Sequence, residues 1–206
     1  MPDGNLVWQA HSVGTALRTE SASTGEADIV ITHAANGHGV AFDAEGVTNC
    51  SGTPISCLPL WSYDDDHGNP VEHSGLAYTL EPDGHTAAYD AHGVTGCSGT
   101  PKVCEPLWEL SGSPANLVLG PDHLYLVHAT GTEVYSLGTT GCSGSPLVCH
   151  PLWTNTQTGP PLSAFAGSLA GGVLYTITDA ASGWRVDAHD ATGTLGCTGA
   201  PKTCNP

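Results

Sequence analysis

The residues of this 206-residue chain with the clearest chemistry are its eight cysteines, which form four Cys-x6-Cys pairs. Cysteines paired at one fixed spacing indicate disulfides, which persist in oxidising compartments, or metal sites. Structural zinc sites favour cysteines two to four residues apart, so six intervening residues are too many for one tetrahedral ion. We therefore expect four disulfides, each closing a loop of about eight residues and contributing about 2 kcal/mol. The pairs are Cys50 and Cys57, Cys97 and Cys104, Cys142 and Cys149, and Cys197 and Cys204.

An acidic, histidine-containing loop at the start of the second repeat is the other candidate for binding an ion. Carboxylate oxygens suit calcium, and histidine together with carboxylate suits zinc or copper. The spacing does not match an EF-hand, because the remaining ligands and the distal glutamate are missing. A solvated loop explains the same residues, so calcium and zinc stay candidate ions beside the expectation that no cofactor binds. The candidate metal ligands are Asp64, Asp66 and His67, followed by Glu72 and His73 in the next strand.

Groups for catalysis form no firm pattern. Glu20 and Glu72 could act as a glycosidase-type carboxylate pair if both lined a central channel. The chain has no Gly-x-Ser-x-Gly elbow for a nucleophilic serine. We therefore do not predict an enzyme, and a hydrolase or lyase with channel-mouth carboxylates is kept as an alternative. The side chains expected to line the channel and contact a ligand are Arg18, Glu20, Glu72, His73 and Asn116.

The cysteine pairs lie in four copies of one phrase: NCSGTPISCLPLW (49–61), GCSGTPKVCEPLW (96–108), GCSGSPLVCHPLW (141–153) and GCTGAPKTCNP (196–206). Two alternating β-runs precede each copy, at 28–33 and 40–44, 76–80 and 86–91, 124–128 and 132–137, and 173–178 and 184–188. Small-residue stretches at 15–21, 70–74, 115–120 and 162–168 predict an inner strand, and Pro-Leu-Trp suits an outer edge strand. Units of about 50 residues with four strands are typical of a β-propeller.

The predicted fold is all-β: a β-propeller with four blades of about four antiparallel strands. We expect one domain, 1–206, with blades at approximately 9–61, 62–108, 109–153 and 154–206, the last completed by 5–8. The C-terminal CNP followed by the N-terminal NLVW would complete the fourth phrase, so the two terminal strands would share a blade and leave no open edge. Either one chain closes as a four-bladed ring, or a homodimer closes as an eight-bladed ring.

Two segments, AFDAEG (41–46) and AYDAHG (88–93), resemble the repeat of pyrroloquinoline-quinone-like (PQQ-like) β-propellers. In that family the blade tryptophans dock neighbouring blades, which implies a structural role for Trp8, Trp61, Trp108 and Trp153. Its quinone enzymes hold PQQ between a tryptophan and a disulfide of adjacent cysteines, beside calcium. This chain has no adjacent cysteines, so PQQ is not expected. The Cys-x6-Cys insert departs from the family repeat and resembles a disulfide-stapled hairpin that links the two outer strands of a blade.

Charge and composition restrict the partners. Asp and Glu total 20 against 4 Lys and Arg, for a formal charge of −16. A polyanion is repelled by phosphate backbones, so we expect no nucleic-acid partner. No apolar run reaches the roughly 18 residues of a membrane helix, so we expect no membrane insertion. Met1–Leu6 lacks the basic and apolar regions of a signal peptide, so we expect a mature or excised form of a secreted or otherwise extracytoplasmic protein.

The function predicted from these features is a non-catalytic, secreted binding or scaffold module. Its partner would be a protein, or a small-molecule or glycan ligand, because β-propellers present loops and a channel mouth to partners. The alternatives are a metal-binding protein, a hydrolase or lyase, and a structural subunit of a homo-oligomer.

Overall fold

The computed structural model describes residues 8–10, 17–24, 28–34, 38–64, 70–80, 85–111, 116–128, 130–138, 140–144, 147–156, 167–180 and 183–206. Within these ranges the regular secondary structure is β-strand, and no helix capable of crossing a membrane occurs. The chain divides into two compact units, residues 1–111 (unit 1) and 112–206 (unit 2), and each is described by itself.

Unit 1 is built from two four-stranded antiparallel sheets and two short hairpins. Its strands are β1 (Gln9–Ala10), β2 (Leu17–Thr24), β3 (Ile29–Ala34), β4 (Gly39–Asp43), β5 (Cys50–Ser51), β6 (Ser56–Cys57), β7 (Trp61–Tyr63), β8 (Val71–His73), β9 (Leu76–Leu80), β10 (His85–Asp90), β11 (Cys97–Ser98), β12 (Val103–Cys104) and β13 (Trp108–Ser111). One sheet has the order β2-β3-β4-β7 and the other β8-β9-β10-β13.

Unit 2 repeats this arrangement with one four-stranded and one three-stranded sheet. Its strands are β14 (Asn116–Leu119), β15 (His123–His128), β16 (Gly131–Ser136), β17 (Cys142–Ser143), β18 (Val148–Cys149), β19 (Trp153–Thr156), β20 (Gly167–Ala170), β21 (Val173–Ala180), β22 (Gly183–Asp190), β23 (Cys197–Thr198) and β24 (Lys202–Cys204). The sheets have the orders β14-β15-β16-β19 and β20-β21-β22.

The all-β prediction is confirmed, and the predicted runs match the observed strands in every repeat. The runs at 76–80 and 124–128, for example, correspond to β9 and β15. The inner strand predicted at 162–168 is observed later, as β20 (Gly167–Ala170). The blade boundaries, and closure by a blade shared between the two ends of the chain, stay predictions.

The four predicted disulfides are present, and each closes a small β-hairpin, which we call a staple. In a staple, the two cysteines face each other across an antiparallel pair, as Cys97 faces Cys104. The first three staples follow the third strand of their repeat and precede the fourth, which agrees with the predicted link between the outer strands, and the last staple follows β22. In addition, the second staple strand pairs in parallel with the outer strand of the preceding repeat, as seen for β12 with β7 and β24 with β19, and β6 pairs in the same way with β1. A staple therefore joins two consecutive repeats.

Removing one staple disulfide, in the variant Cys97→Ser/Cys104→Ser, should lower the free energy of unfolding by about 2 kcal/mol, because the open loop regains chain entropy in the unfolded state. Urea unfolding followed by tryptophan fluorescence measures this change. The exposed neighbour Ser98 provides a control, since Ser98→Ala should stay within about 0.5 kcal/mol of the wild type. Equal stability of the double variant and the wild type would contradict the prediction.

Repeat tryptophans pack against glycines of the following repeat. In unit 1, Trp61 is buried, its Nε1 donates to the Ala91 carbonyl at 3.0 Å, and a Cβ on Gly93 would overlap its indole ring. Trp8 lies in the same way over Gly46. Both glycines have positive φ, +71° at Gly46 and +63° at Gly93, which favours glycine independently of the contact. These contacts support the structural role that the family resemblance implied for the two tryptophans.

An aspartate at the end of the third strand orders the loop that enters the staple in three of the repeats. Asp43 accepts the backbone N–H of Thr48 at 2.6 Å, and this hydrogen bond holds the pKa of the Asp43 carboxyl below its usual range. Asp90 and Asp190 accept the backbone N–H groups of their own loops in the same manner. The third repeat has Ser136 at this position, and its Oγ accepts a single loop N–H. The aspartate of the repeat is therefore a loop-ordering residue.

Candidate functional site

Strand register identifies equivalent positions in the two units. Trp61 lies opposite Ala41 in unit 1, and Trp153 lies opposite Val134 in unit 2. Two residues after each tryptophan, Tyr63 of unit 1 therefore corresponds to Asn155 of unit 2. Unit 2 consequently has a small amide where unit 1 has a buried aromatic ring.

The same replacement of apolar by polar residues occurs at neighbouring positions. His189 occupies the place of Phe42 and Tyr89, one residue before the equivalent loop aspartates. At the positions of Val40 and Ala87 in unit 1, unit 2 has the carboxylates of Glu133 and Asp187. We use the term polar cluster for these residues of unit 2 and their neighbour on β16: Thr132, Glu133, Asn155, Asp187 and His189. All except Glu133 are buried.

Asn155 is the centre of the polar cluster. Its Oδ1 accepts the backbone N–H of Thr132 at 2.6 Å, so its Nδ2 is the donor to His189 Nε2 at 2.9 Å. The His189 nitrogen facing Asn155 must accept, which requires a neutral imidazole ring. Burial lowers the pKa of His189 and favours the same neutral form. In unit 1 the corresponding contact is made by the rings of Tyr63 and Tyr89, whose centroids lie 4.5 Å apart.

Both carboxylates of the cluster have close partners. Arg185 donates through its guanidinium to Asp187 Oδ2 at 2.8 Å. The Tyr135 hydroxyl donates to Glu133 Oε2 at 2.9 Å, and burial raises the pKa of Tyr135, so the hydroxyl stays a donor. His128 Nε2 lies 3.6 Å from the same carboxylate oxygen. Glu133, which is partly exposed, is thereby held at a fixed position beside the cluster.

A cavity of about 390 Å³ lies next to the polar cluster, at the end of β15, β16 and β19. Thr132 Oγ1 and His128 Nε2 are buried and make no hydrogen bond, and the same is true of Thr86 Oγ1 at the position of unit 1 equivalent to Thr132. Cavities of 300–1,000 Å³ are typical of small-molecule sites. The lining residues are His128, Thr130, Gly131, Thr132, Glu133, Thr154 and Asn155. The cavity can therefore accommodate a small polar molecule.

The neighbouring tryptophan also departs from the unit 1 pattern. Trp153 packs over Gly193, as Trp61 packs over Gly93, but its Nε1 is buried without a hydrogen-bond partner. The equivalent acceptor, the carbonyl of Ala191, is taken by the Tyr125 hydroxyl at 3.0 Å. The Trp153 indole N–H therefore lacks the acceptor that the Trp61 indole N–H has.

The ligand-contact residues predicted from the sequence lie on the first strands of three sheets, β2, β8 and β14, and their role stays a prediction. Glu72 is buried on β8, and its Oε1 accepts the backbone N–H of Gly75 at 3.0 Å, which closes the β8–β9 turn. His73 ends the same strand. Asn116 begins β14, the inner strand of the unit 2 sheet, and its Oδ1 is buried without a partner. The side chains of Arg18 and Glu20 lie outside the described residues, although both residues belong to β2.

The predicted acidic metal loop is described only at its first residue. Asp64 is exposed and hydrogen-bonds His38 Nδ1 at 2.6 Å, whereas Asp66 and His67 lie outside the described residues. In the described part of the chain, no three His, Cys, Asp or Glu side chains are grouped so that they could hold a metal ion. All eight cysteines are used in disulfides, so the alternative of a cysteine metal site is not realised.

Sequence reasoning missed the polar cluster entirely. Threonine and asparagine carry no catalytic or metal-binding motif, whereas the acids near the inner strands do suggest a site. The signal that could have found the cluster is a comparison of aligned repeats. WTNT at 153–156 replaces WSYD at 61–64, and the aromatic of FDA and YDA is replaced by His189.

The stability of unit 2 should fall in acid because of His189. Its pKa is lower in the folded protein than the usual 6.5, so the unfolded chain binds a proton that the folded cluster excludes. The contribution is complete above about pH 6.5 and is lost as the pH falls below that value. As the pH is lowered from 8 to 5, the urea concentration at the midpoint of unfolding should decrease for the wild type and change less for His189→Gln. The exposed His92 supplies the control variant His92→Gln, and identical pH profiles for all three proteins would refute the assignment.

Comparison with known proteins gives matches to solved structures alone. No protein-family model and no curated protein sequence matches the chain. BamB from Moraxella catarrhalis, a β-propeller protein, is 11% identical with a TM-score of 0.58 over 92% of this chain. The computationally designed proteins Ika4 and Ika8 are 14% and 13% identical, with TM-scores of 0.54 over 89% and 0.50 over 85% of the chain.

Two of these proteins are longer than the chain, and the third is of similar length. The chain spans about half of BamB (51%) and of Ika8 (45%), but nearly all of Ika4 (97%). Identities of this size carry information on the fold and not on a ligand or activity. Together with the antiparallel sheets of both units, they show that the chain has a β-propeller fold.

Proposed function

We propose that this protein is a non-catalytic, extracytoplasmic binding module whose ligand site is the cavity beside the polar cluster. The observation that carries the proposal is the cavity of about 390 Å³ at the end of β15, β16 and β19, whose wall is formed largely by threonine, asparagine, histidine and glutamate side chains. A ligand with hydroxyl groups would exchange hydrogen bonds with the polar groups of this wall.

The lining residues favour a neutral, polyhydroxylated ligand such as a glycan or a polyol. Thr130, Thr132 and Thr154 supply hydroxyl groups, and Glu133 supplies an acceptor. The formal charge of −16 disfavours anionic ligands. The cluster offers no nucleophile–base pair, and this absence of an activated nucleophile among the described residues supports binding rather than catalysis.

An extracytoplasmic location is supported by the disulfides. Each staple holds its two cysteines in a closed hairpin, and disulfides of this kind persist in oxidising compartments. A binding module at such a location would meet free sugars and glycans.

The test is a ligand screen with neutral sugars. Glucose, galactose, mannose, N-acetylglucosamine and their disaccharides would be examined by saturation-transfer-difference NMR, and the hits titrated by calorimetry. We expect at least one sugar to bind the wild type. Asn155→Leu/His189→Tyr should abolish that binding, because it places the apolar residues of the equivalent unit 1 positions, Leu110 and Tyr89, beside the cavity.

Thr203→Ala supplies the matched control, since Thr203 is an exposed threonine of unit 2 that does not line the cavity. This variant should bind as the wild type does. If no sugar of the panel binds, or if Asn155→Leu/His189→Tyr binds equally well, the proposed ligand class and site are wrong.

A further inference from the structure

One face of the β20–β21–β22 sheet is exposed, whereas the equivalent face is buried in the other repeats. Tyr175 pairs with Ala188 in register, as Tyr125 pairs with Val134 and Tyr78 with Ala88. Tyr125 and Tyr78 are 1% and 0% exposed, but Tyr175 is 38% exposed. The residue types at this position are alike, so the difference lies in what covers them.

The exposed face continues along β22. Val186 is 62% exposed, whereas the equivalent Thr86 and Thr132 are 0% and 1% exposed. Trp184, two residues earlier on the same strand, is 67% exposed. Large apolar side chains grouped on one sheet face mark an interaction surface. We call Tyr175, Trp184, Val186 and Ala188 the open face.

The outer edge of β22 is also unpaired within the described part of the chain. In the other repeats the third strand pairs with an outer strand: β4 with β7, β10 with β13, and β16 with β19. The sheet of β22 ends at β22 itself. An exposed strand edge with apolar side chains is a template for a further strand.

The other repeats show what kind of segment covers such a face. The tryptophan that begins the outer strand contacts the equivalent tyrosine, with ring centroids 5.7 Å apart for Trp108 and Tyr78 and 6.4 Å apart for Trp153 and Tyr125. The matching segment for β22 is Trp8 followed by β1. In its own sheet, β1 pairs in parallel with β6, as β7 pairs with β12, but has no antiparallel partner among the described strands.

We propose that the open face binds the first repeat of a second copy of this chain, with β1 of that copy as the outer strand of the β22 sheet. By analogy with the β10–β13 register, Trp8 would lie opposite Ala188 and Ala10 opposite Val186. The second copy is favoured over a foreign protein because its Trp8 and the unpaired edge of its β1 would complete the β22 sheet. It is favoured over the same chain because this chain matches only about half of BamB (51%) and of Ika8 (45%); Ika4, of which it matches 97%, keeps closure within one chain as the alternative outcome that the second test distinguishes.

The first test is solution mass by light scattering at roughly 1 to 100 µM protein, a range that detects micromolar association. We expect the wild type to reach twice the chain mass of 21.0 kDa. Val186→Glu should halve that mass, because it introduces a charge on the open face. Leu195→Glu supplies the matched control, since Leu195 is also an exposed apolar residue but lies outside the open face, and this variant should stay dimeric.

Circular dichroism of Val186→Glu would show whether the sheets are retained, so that loss of mass is not loss of folding. A wild type that is monomeric throughout the concentration range would overturn the proposal. A Val186→Glu variant that remains dimeric would overturn it as well, because the dimer would then use another surface.

The second test distinguishes exchange between chains from closure within one chain. Ala10→Cys and Val186→Cys would be prepared as separate variants and mixed under oxidising conditions. We expect a disulfide-linked species of twice the chain mass in the mixture, and far less in either variant alone. Linkage only within the chain of a combined Ala10→Cys/Val186→Cys variant, with none in the mixture, would show that β1 pairs with β22 of its own chain.

Discussion

Replacement of Trp61 by alanine should lower the free energy of unfolding by about 3–5 kcal/mol, the usual range for removing a buried large aromatic. The indole is almost fully buried, donates to the Ala91 carbonyl at 3.0 Å and contacts the rings of Tyr63 and Tyr89. Truncation leaves a cavity between two consecutive repeats and an unpaired carbonyl. Urea unfolding of Trp61→Ala, followed by far-UV circular dichroism, measures the loss.

Two further variants make this result specific. Val94→Ala changes an exposed residue next to Gly93 and should shift the stability by less than about 0.5 kcal/mol. Gly93→Ala should be strongly destabilising in the wild type but much less so with Trp61→Ala, because the indole that its Cβ would meet is then absent. Additive effects of the two substitutions would contradict the packing of Trp61 on Gly93.

The fold could be predicted from the sequence because its determinants are local and repeated. Alternation of apolar residues, turn signals and cysteine spacing each act within one repeat, and four copies of the pattern reinforce each other. The hairpin of Cys97 and Cys104 is an example, since both strands lie within eight residues. The parallel pairing of that hairpin with β7 could not be predicted, because it joins Val103 to Ser62 across a whole repeat and leaves no local signal.

The candidate site could not be predicted for a related reason. Thr132, Asn155 and His189 are far apart in sequence, and only the strand register of unit 2 brings them within hydrogen-bond distance. Glu72 illustrates how one residue can fit two roles. Its charge and position predict a ligand contact, which stays a prediction, and in the structure its carboxylate accepts the N–H of Gly75 in a tight turn. A buried acid near a turn has a nearby backbone donor to satisfy it, and the sequence alone does not distinguish the two roles.

The contrast between the units gives the polar cluster its significance. Unit 1 shows that the repeat can bury aromatic and aliphatic side chains at the positions of Asn155, Asp187 and His189, so these polar residues of unit 2 are not required by the fold. Burying polar groups costs free energy unless every hydrogen bond is made, and the Trp153 indole N–H is left unpaired. Residues that lower the stability of the protein are expected at a cavity wall when they are required to bind a ligand.

Asn155→Ala should therefore destabilise the protein by about 2–4 kcal/mol, because it leaves the Thr132 N–H and the His189 ring nitrogen buried without partners. Asn155→Leu/His189→Tyr leaves the Thr132 N–H unpaired as well, but it removes the ring nitrogen that lost its donor and fills the space with apolar atoms, so it should be less destabilising than Asn155→Ala. Urea unfolding of both variants measures the difference. The exposed Thr203→Ala again serves as the control, expected within about 0.5 kcal/mol of the wild type. Greater loss in the apolar double variant than in Asn155→Ala would mean that packing, and not hydrogen-bond satisfaction, determines the stability of this part of unit 2.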